Sequence, residues 1–263
     1  MIRRRENGKM VITQMAHSWL AGQFALHWGN DTFRFPALAP DMILTAANHD
    51  LGWSTWEQTP QIDAEGRPID FLDMPVTTHL ALWTEGVAAV TMQNLYAGLL
   101  VSMHGRTLVE GRLNSGDRQD TAADKTRLQA FSTEQREWEA AQIDTLQTSD
   151  YFAPGCQAEA LAANLRLLQL FDWLSLLLCM RPLSETVIAD VPAACPSERV
   201  TINFKPLTAN VLTIEPWPFK VPAFEITWPA YQLPQETFAS DQALQRAWTA
   251  VRPTYLTFQV QER

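Results

Sequence analysis

The chain has 263 residues, of which 46% are hydrophobic and 19% are charged, and it contains ten tryptophans. This composition excludes an intrinsically disordered chain and allows one or two domains with a large core. Acidic residues outnumber basic ones by 29 to 20, giving a formal net charge of −9. Since no basic stripe extends beyond residues 3–5, a nucleic-acid polymer is not an expected partner.

The sequence also gives expectations about the compartment. No apolar stretch follows the basic start, so we expect no signal peptide. The most apolar run, residues 165–180, is too short and too polar to span a bilayer. Cys156, Cys179 and Cys195 lack the spacing of metal ligands and are expected to be reduced thiols. We therefore expect a cytoplasmic protein that does not bind a membrane.

The first part of the chain predicts a hairpin followed by helices. Residues 2–12 have the Asn7-Gly8 signature of a tight β-turn. A helix is predicted over residues 15–28, ended by Gly29, and a second over residues 41–49, capped by Asp41. Residues 54–74 have a loop-like pattern. Further helices are predicted at 75–90, 95–104, 133–147 and 156–180.

The pattern changes after residue 180, where most of the prolines and none of the glycines lie. Alternating and β-branched residues predict strands, and a short helix is predicted at 241–251. We therefore predict a mainly α fold with an N-terminal β-hairpin. In it, a helical domain at 1–182 is covered by a small β-rich section at 183–263. The predicted strands are 199–204, 210–214, 223–228 and 254–260.

The five histidines all lie within the first 104 residues. His17, His79 and His104 share predicted helix faces with apolar residues, and His49 directly precedes Asp50. Asp172 lies on the leucine-rich face of a later helix. His27 falls off the apolar face and is expected to be a boundary residue.

Buried histidine and aspartate are costly alone but favourable together around a divalent metal. A lone histidine on an apolar face is most often a satisfied core residue, yet several inward-facing groups on separate helices favour a metal site. Without a thiolate, the set suits iron, manganese, zinc or nickel. Four of these residues can hold one metal, and two more would allow a second metal bridged by Asp50. The four are His17, His49, Asp50 and Asp172; the two are His79 and His104.

The loop after the His-Asp doublet is the predicted specificity element. Trp53 and Trp56 would either stack on a flat ligand or pack in the core. Glu57 would act as a general base, a further ligand or a salt-bridge partner. Arg67 and Arg106 would bind substrate charge or remain surface residues.

These residues resemble the HD superfamily of metal-dependent phosphohydrolases over about residues 11–182. His17 resembles its first histidine, His49-Asp50 its doublet and Asp172 its closing aspartate. His79 and His104 resemble the extra histidines of its two-metal branch. The resemblance implies an HD-like helical bundle that holds one or two divalent ions.

A closer resemblance, over most of the chain, is to an uncharacterised prokaryotic family of unknown function. Its matching segments include residues 12–22, 49–60, 66–71 and 99–105. Trp53 stands where two-metal phosphodiesterases have a lysine, which argues against a cyclic dinucleotide as substrate.

We therefore expect hydrolysis of a phosphate ester or nucleotide by a metal-bound hydroxide, with Asp50 and Glu57 as catalytic residues. Two alternatives stay open: a di-iron oxygenase of a small polar substrate, and a non-catalytic small-molecule-binding protein. In each case the expected partner is a small molecule, phosphorylated in the first. The sequence leaves homo-oligomerisation open.

Overall fold

The fold is taken from a computed structural model that describes residues 2–3, 9–115, 120–180, 183–195 and 197–263. The elements within these ranges run in chain order, with a 3₁₀ turn at Phe71–Asp73 before the fourth helix. They are β1 (Ile2–Arg3), β2 (Met10–Ile12), α1 (Gln14–His27), α2 (Ala39–Asn48), α3 (Trp53–Trp56), α4 (Val76–Gln93), α5 (Leu95–Ser115), α6 (Ala122–Leu146), α7 (Ala158–Met180), β3 (Thr186–Pro192), β4 (Arg199–Thr208), β5 (Val211–Glu215), β6 (Ala223–Gln232), α8 (Asp241–Ala250) and β7 (Pro253–Gln261).

The prediction of a mainly α fold was wrong, because the structure is mixed α/β, with 51% helix and 20% strand. The strands form one seven-stranded sheet in the order β1-β2-β6-β7-β5-β4-β3. All neighbouring pairs are antiparallel except β5 and β7. The sheet is larger than predicted for two reasons. The N-terminal strands join the C-terminal ones through β2 and β6, and β3 has no counterpart among the predicted strands.

Several predicted element boundaries also differ from the structure. Helix α5 continues past His104 to Ser115, and α6 begins at Ala122 because Thr121 and Asp124 form a capping box. Asp41 does not cap α2; it accepts hydrogen bonds from Asn94 and Tyr151 instead. Strands β1 and β2 do pair as a hairpin, but its predicted Asn7-Gly8 turn lies outside the described residues.

A single large core joins the first and last long helices to the sheet. Leu20 of α1, Phe171 of α7, Ile202 of β4 and Trp228 of β6 are all fully buried in it. Burying this much apolar surface from helices and strands together stabilises the helical part against the sheet. The proposed division of the chain at residue 182 stays a prediction.

Helix α7 was expected from residues 165–180 to be too short to cross a membrane. The helix begins at Ala158 and has 23 residues, so its length and mean hydropathy pass a simple test for a membrane span. However, 61% of its most apolar window is buried inside the protein, as is usual for the central helix of a soluble core. A cytoplasmic location stays a prediction.

Two glycines allow the helices around the His-Asp doublet to approach closely. A Cβ atom at Gly22 of α1 would lie 2.6 Å from the Cβ of Ala47 in α2. One at Gly52 would clash with the carbonyl oxygen of Leu82 in α4. These positions tolerate only glycine at the observed separations, and they hold α1, α2 and α4 together around residues 49–52.

Candidate metal centre

Four helices bring histidine and aspartate side chains to one buried point. His17 lies in the first turn of α1, and His49 and Asp50 directly follow α2. His104 lies in the middle of α5, and Asp172 in the second half of α7. The three histidines and Asp50 are nearly inaccessible to solvent, and the Asp172 side chain retains 14% exposure.

The ring nitrogens and carboxylate oxygens converge closely. His17 Nε2 lies 2.9 Å from Asp172 Oδ1 and 3.3 Å from His49 Nε2. His49 Nε2 lies 3.4 Å from the same Asp172 oxygen. Asp50 Oδ2 lies 3.6 Å from His17 Nε2 and 3.5 Å from His49 Nε2. One atom from each of His17, His49 and Asp172 falls within 4.8 Å of the other two, which is the separation expected of ligands to one ion.

The outer nitrogens of two rings are held by fixed acceptors. His49 Nδ1 lies 2.9 Å from the carbonyl oxygen of Ala46, which can only accept, so Nδ1 carries the proton. Ser175 donates its hydroxyl hydrogen to the carbonyl of Asp172 and therefore accepts from His17 Nδ1 at 2.8 Å. In the neutral rings, both Nε2 lone pairs consequently point at the two carboxylates.

The local electrostatics favour positive charge where these atoms meet. Although burial opposes it, Asp50 and Asp172 raise the pKa of His49 to about 9. Burial would raise the pKa of Asp172, but hydrogen bonds from His17 and His49 outweigh this and hold it well below its usual range. Burial raises the pKa of Asp50. The cluster therefore stabilises a cation, whether proton or metal, between its carboxylates.

His104 occupies a separate position at the far oxygen of Asp172. Its Nε2 lies 3.5 Å from Asp172 Oδ2, and burial lowers its pKa to about 4, which leaves the ring neutral. Its Nδ1 is buried without a hydrogen-bond partner among the described residues. Asp172 thus contacts imidazoles through both of its oxygens, and the predicted bridging of two metals by Asp50 stays a prediction.

The donor set fits a divalent transition metal. Imidazole nitrogens and carboxylate oxygens without a thiolate suit iron, manganese, zinc or nickel. Cys156 and Cys179 are buried in the apolar core rather than near this set. His17, His49, Asp50 and Asp172 are the residues that would hold the ion, and Ser175 and Ala46 would orient the two rings.

The cluster forms the floor of a cavity of about 370 Å³, a volume typical of small-molecule sites. Its walls are mainly apolar and aromatic. Among the described lining residues none is lysine or arginine. Besides His17, Asp50, His104 and Asp172, the lining comprises Gln14, Trp53, Phe71, Leu72, His79, Trp83, Leu108, Trp173, Leu176 and Met180.

Two of the predicted site residues lie in the aromatic wall of this cavity. Trp53 is buried and meets Trp83 edge-on, with ring centroids 5.0 Å apart. His79, predicted as a metal ligand, stacks on Trp83 at 6.2 Å and meets Trp53 edge-on at 5.5 Å. His79 borders the cavity, but it is not among the atoms that converge on Asp172.

Four other predicted residues lie outside the cavity lining. Trp56 packs against apolar clusters below the loop. Glu57 is buried, and its two carboxylate oxygens accept from the backbone N–H of Gln14 at 2.8 and 3.0 Å, which places it at the N-terminus of α1. Arg67 is bound to Asp63 and Glu65, and Arg106 to Glu139 and Glu110. Their predicted catalytic and substrate-binding roles stay predictions.

Sequence reasoning missed the residues that support the cluster. Ser18 follows His17 and accepts from the backbone N–H of Asp50 at 3.1 Å, and Ser175 follows Asp172 by one turn. Trp83 follows His79 by one turn and Gln14 precedes His17 by one, spacings that place each pair on one helix face. A serine one turn from a candidate ligand was the available signal.

The family of the chain follows from a match over residues 1–235 to the family described as "Protein of unknown function (DUF3891)". The chain belongs to this family. The matched span includes all residues of the His-Asp cluster, which comprises His17, His49, Asp50, His104 and Asp172, and it ends before α8 and β7. An HD-superfamily membership is not shown by this match. No curated protein and no solved structure matches the chain.

Proposed function

We propose that this DUF3891 protein is a metal-dependent hydrolase that cleaves a phosphate ester or nucleotide in the cavity above the His-Asp cluster. One observation carries the proposal. The Nε2 atoms of His17 and His49 lie 3.3 Å apart and face two carboxylates, while their outer nitrogens are bound to fixed acceptors. Such a convergence of lone pairs needs a cation to be stable.

The order of His17, His49-Asp50 and Asp172 along the chain, together with their convergence, also supports the resemblance to the HD superfamily. We therefore extend the proposal to that assignment. A divalent cation held by these four residues would supply Lewis-acid polarisation of a phosphoryl oxygen and would lower the pKa of bound water.

The side chains around the cluster would perform the remaining tasks. Ser175 and the carbonyl of Ala46 keep Nε2 of the two rings directed inward. Asp50 borders the cavity, and we assign its carboxylate to accept the proton that the attacking water loses. Trp53 and Trp83 close one side of the cavity against solvent, which strengthens the electrostatic interactions within it.

The test is phosphate release from a broad panel of phosphate monoesters, diesters and nucleotides by protein loaded with manganese, iron, zinc or nickel. We expect release with at least one metal, its loss in chelator and in Asp50→Asn, and its retention in His27→Ala. His27 is the control because it stacks on Phe224 of the sheet instead of joining the cluster. Absence of phosphate release with all four metals would contradict the proposal.

A second candidate is oxidation of a small polar substrate by two iron ions and dioxygen. It is favoured by the lack of lysine and arginine among the described cavity-lining residues, since a phosphate is usually bound by such cations. It is also favoured by the position of His104 at the second oxygen of Asp172. Iron content, a charge-transfer absorption band and substrate-dependent dioxygen uptake would identify it.

A further inference from the structure

A second compartment of about 180 Å³ adjoins the cavity above the cluster. Five residues line both: Phe71, Leu72, His79, Trp83 and Leu108. The two spaces therefore share a wall and lead from the carboxylates toward the interface of α4, α5 and α6. A ligand that starts at the cluster would have to pass between these shared side chains to enter this compartment.

The far end of the second compartment is built from hydrocarbon. It is lined by Val76 and Leu80 of α4, Val109 of α5 and Leu128 of α6. Arg112 is the one basic residue among its described lining, and its Nε donates to Asp120 at 2.8 Å. A further phosphate or a nucleobase edge would find few polar partners here, whereas a hydrocarbon chain would be desolvated by these walls.

The described rim of the cavity is also apolar. Leu108 is 49% exposed and Trp173 is 37% exposed, and both line the cavity. Partly exposed apolar side chains that line a cavity can contact an apolar ligand as it enters. The rim and the second compartment therefore both favour an apolar ligand.

We infer, on the basis of the proposed function, that the substrate is a phosphate monoester of a hydrophobic alcohol. Its phosphoryl group would lie at the cluster and its hydrocarbon chain would extend past Phe71 and Leu108 to Leu128. In the reaction, the P–O bond to the alcohol breaks and water forms a new P–O bond. One proton of the water goes to the alcohol oxygen, so the products are the free alcohol and inorganic phosphate.

The test measures binding separately from turnover, with non-hydrolysable n-alkylphosphonates from ethyl to octyl and calorimetry on manganese-loaded protein. We expect the Kd to fall about fourfold per added methylene, the equivalent of ~0.8 kcal/mol each, until the second compartment is filled. A Kd that is independent of chain length, or tighter binding of a nucleoside monophosphate than of the octyl ligand, would overturn the inference.

A matched pair of variants tests where the hydrocarbon chain of the ligand lies. Leu80→Trp fills the far compartment, so it should raise the Kd of the octyl ligand to that of the short ligands and leave ethyl binding unchanged. Ala81→Trp, on the exposed face of the same helix, should behave as wild type. An equal loss for ethyl and octyl ligands in Leu80→Trp would contradict this placement.

Turnover separates the two proposals. Chain-length-dependent phosphonate binding without phosphate release from the matching alkyl phosphates would remove the hydrolase proposal and keep the apolar compartment as a ligand site. Phosphate release from nucleotides, with no dependence of phosphonate binding on chain length, would keep the hydrolase and remove the hydrophobic substrate.

Discussion

Helix α5 carries two buried polar clusters that differ in how their charges are matched. His104 belongs to the His-Asp cluster, whereas Arg106, two residues later and hence on the opposite face, belongs to a network with α6. Arg106 Nε donates to both oxygens of Glu139, at 2.8 and 3.0 Å, and Nη1 to Glu110 at 3.1 Å. Ser102 and Ser132 donate to the same two carboxylates.

The way in which the charges are matched distinguishes a structural cluster from a cluster that binds a ligand. In the network of Arg106, each donor faces an acceptor, so the network is complete with protein atoms alone. In the His-Asp cluster, the Nδ1 protons of His17 and His49 point outward, so the rings can donate to the carboxylates only when an added proton charges a ring. A cluster of the second kind is stable only with a cation, which makes it the better candidate for a function.

The largest effect should come from removing a ligand. His49→Ala and Asp50→Ala should each lose at least 90% of the bound metal, on the order of a tenfold or greater loss of affinity, because each leaves an incomplete donor set. Elemental analysis of protein purified without chelator measures this. His27→Ala should keep the wild-type content, and equal metal in all three variants would refute the site.

Asp172→Asn should lower both the metal content and the thermal stability. At metal concentrations about a hundredfold above Kd, binding stabilises the fold by about 2.7 kcal/mol, or roughly 5–10 °C for a chain of this length. The readout is the difference in melting temperature between manganese and chelator. If that difference equals the wild-type value, Asp172 is not a ligand.

Glu139→Gln probes the other cluster. It should destabilise the fold by about 3 kcal/mol, because the largely buried Arg106 loses its main partner. Metal content per folded molecule should stay unchanged. Arg136→Gln, at an exposed ion pair with Glu110, should cost about 0.5 kcal/mol or less in urea unfolding. A loss of metal in Glu139→Gln would erase the distinction between the clusters.

Helical periodicity was sufficient to find the cluster. His17 and Asp172 were predicted from their place on apolar helix faces, and His49-Asp50 from the doublet, because burial of a helix face is encoded locally. The direction in which an arginine side chain points is not encoded locally. Arg106 was predicted to bind substrate, but its partner Glu139 is 33 residues away, and a pairing across helices depends on how they pack.

The sheet was underestimated for a similar reason. The strands beyond residue 199 were predicted, since alternation is a local signal. The pairing of Val11 with Tyr231 joins the two ends of the chain, and no pattern within either segment specifies it. Glu57 shows the same limit, because its hydrogen bond with the backbone N–H of Gln14, at the start of α1, cannot be predicted from its position after the doublet.

The serines that support the two clusters compare them most directly. Ser175 and Ser132 are both buried, and each bonds a charged or ring group. Either change to alanine should cost about 1 kcal/mol of stability. Only Ser175→Ala should also weaken metal binding, by about tenfold, because His17 Nδ1 then loses the acceptor that directs Nε2 inward. Competition with a metal-binding dye would measure the affinity. An equal affinity in Ser175→Ala and Ser132→Ala would mean that His17 does not depend on its outer hydrogen bond for its orientation.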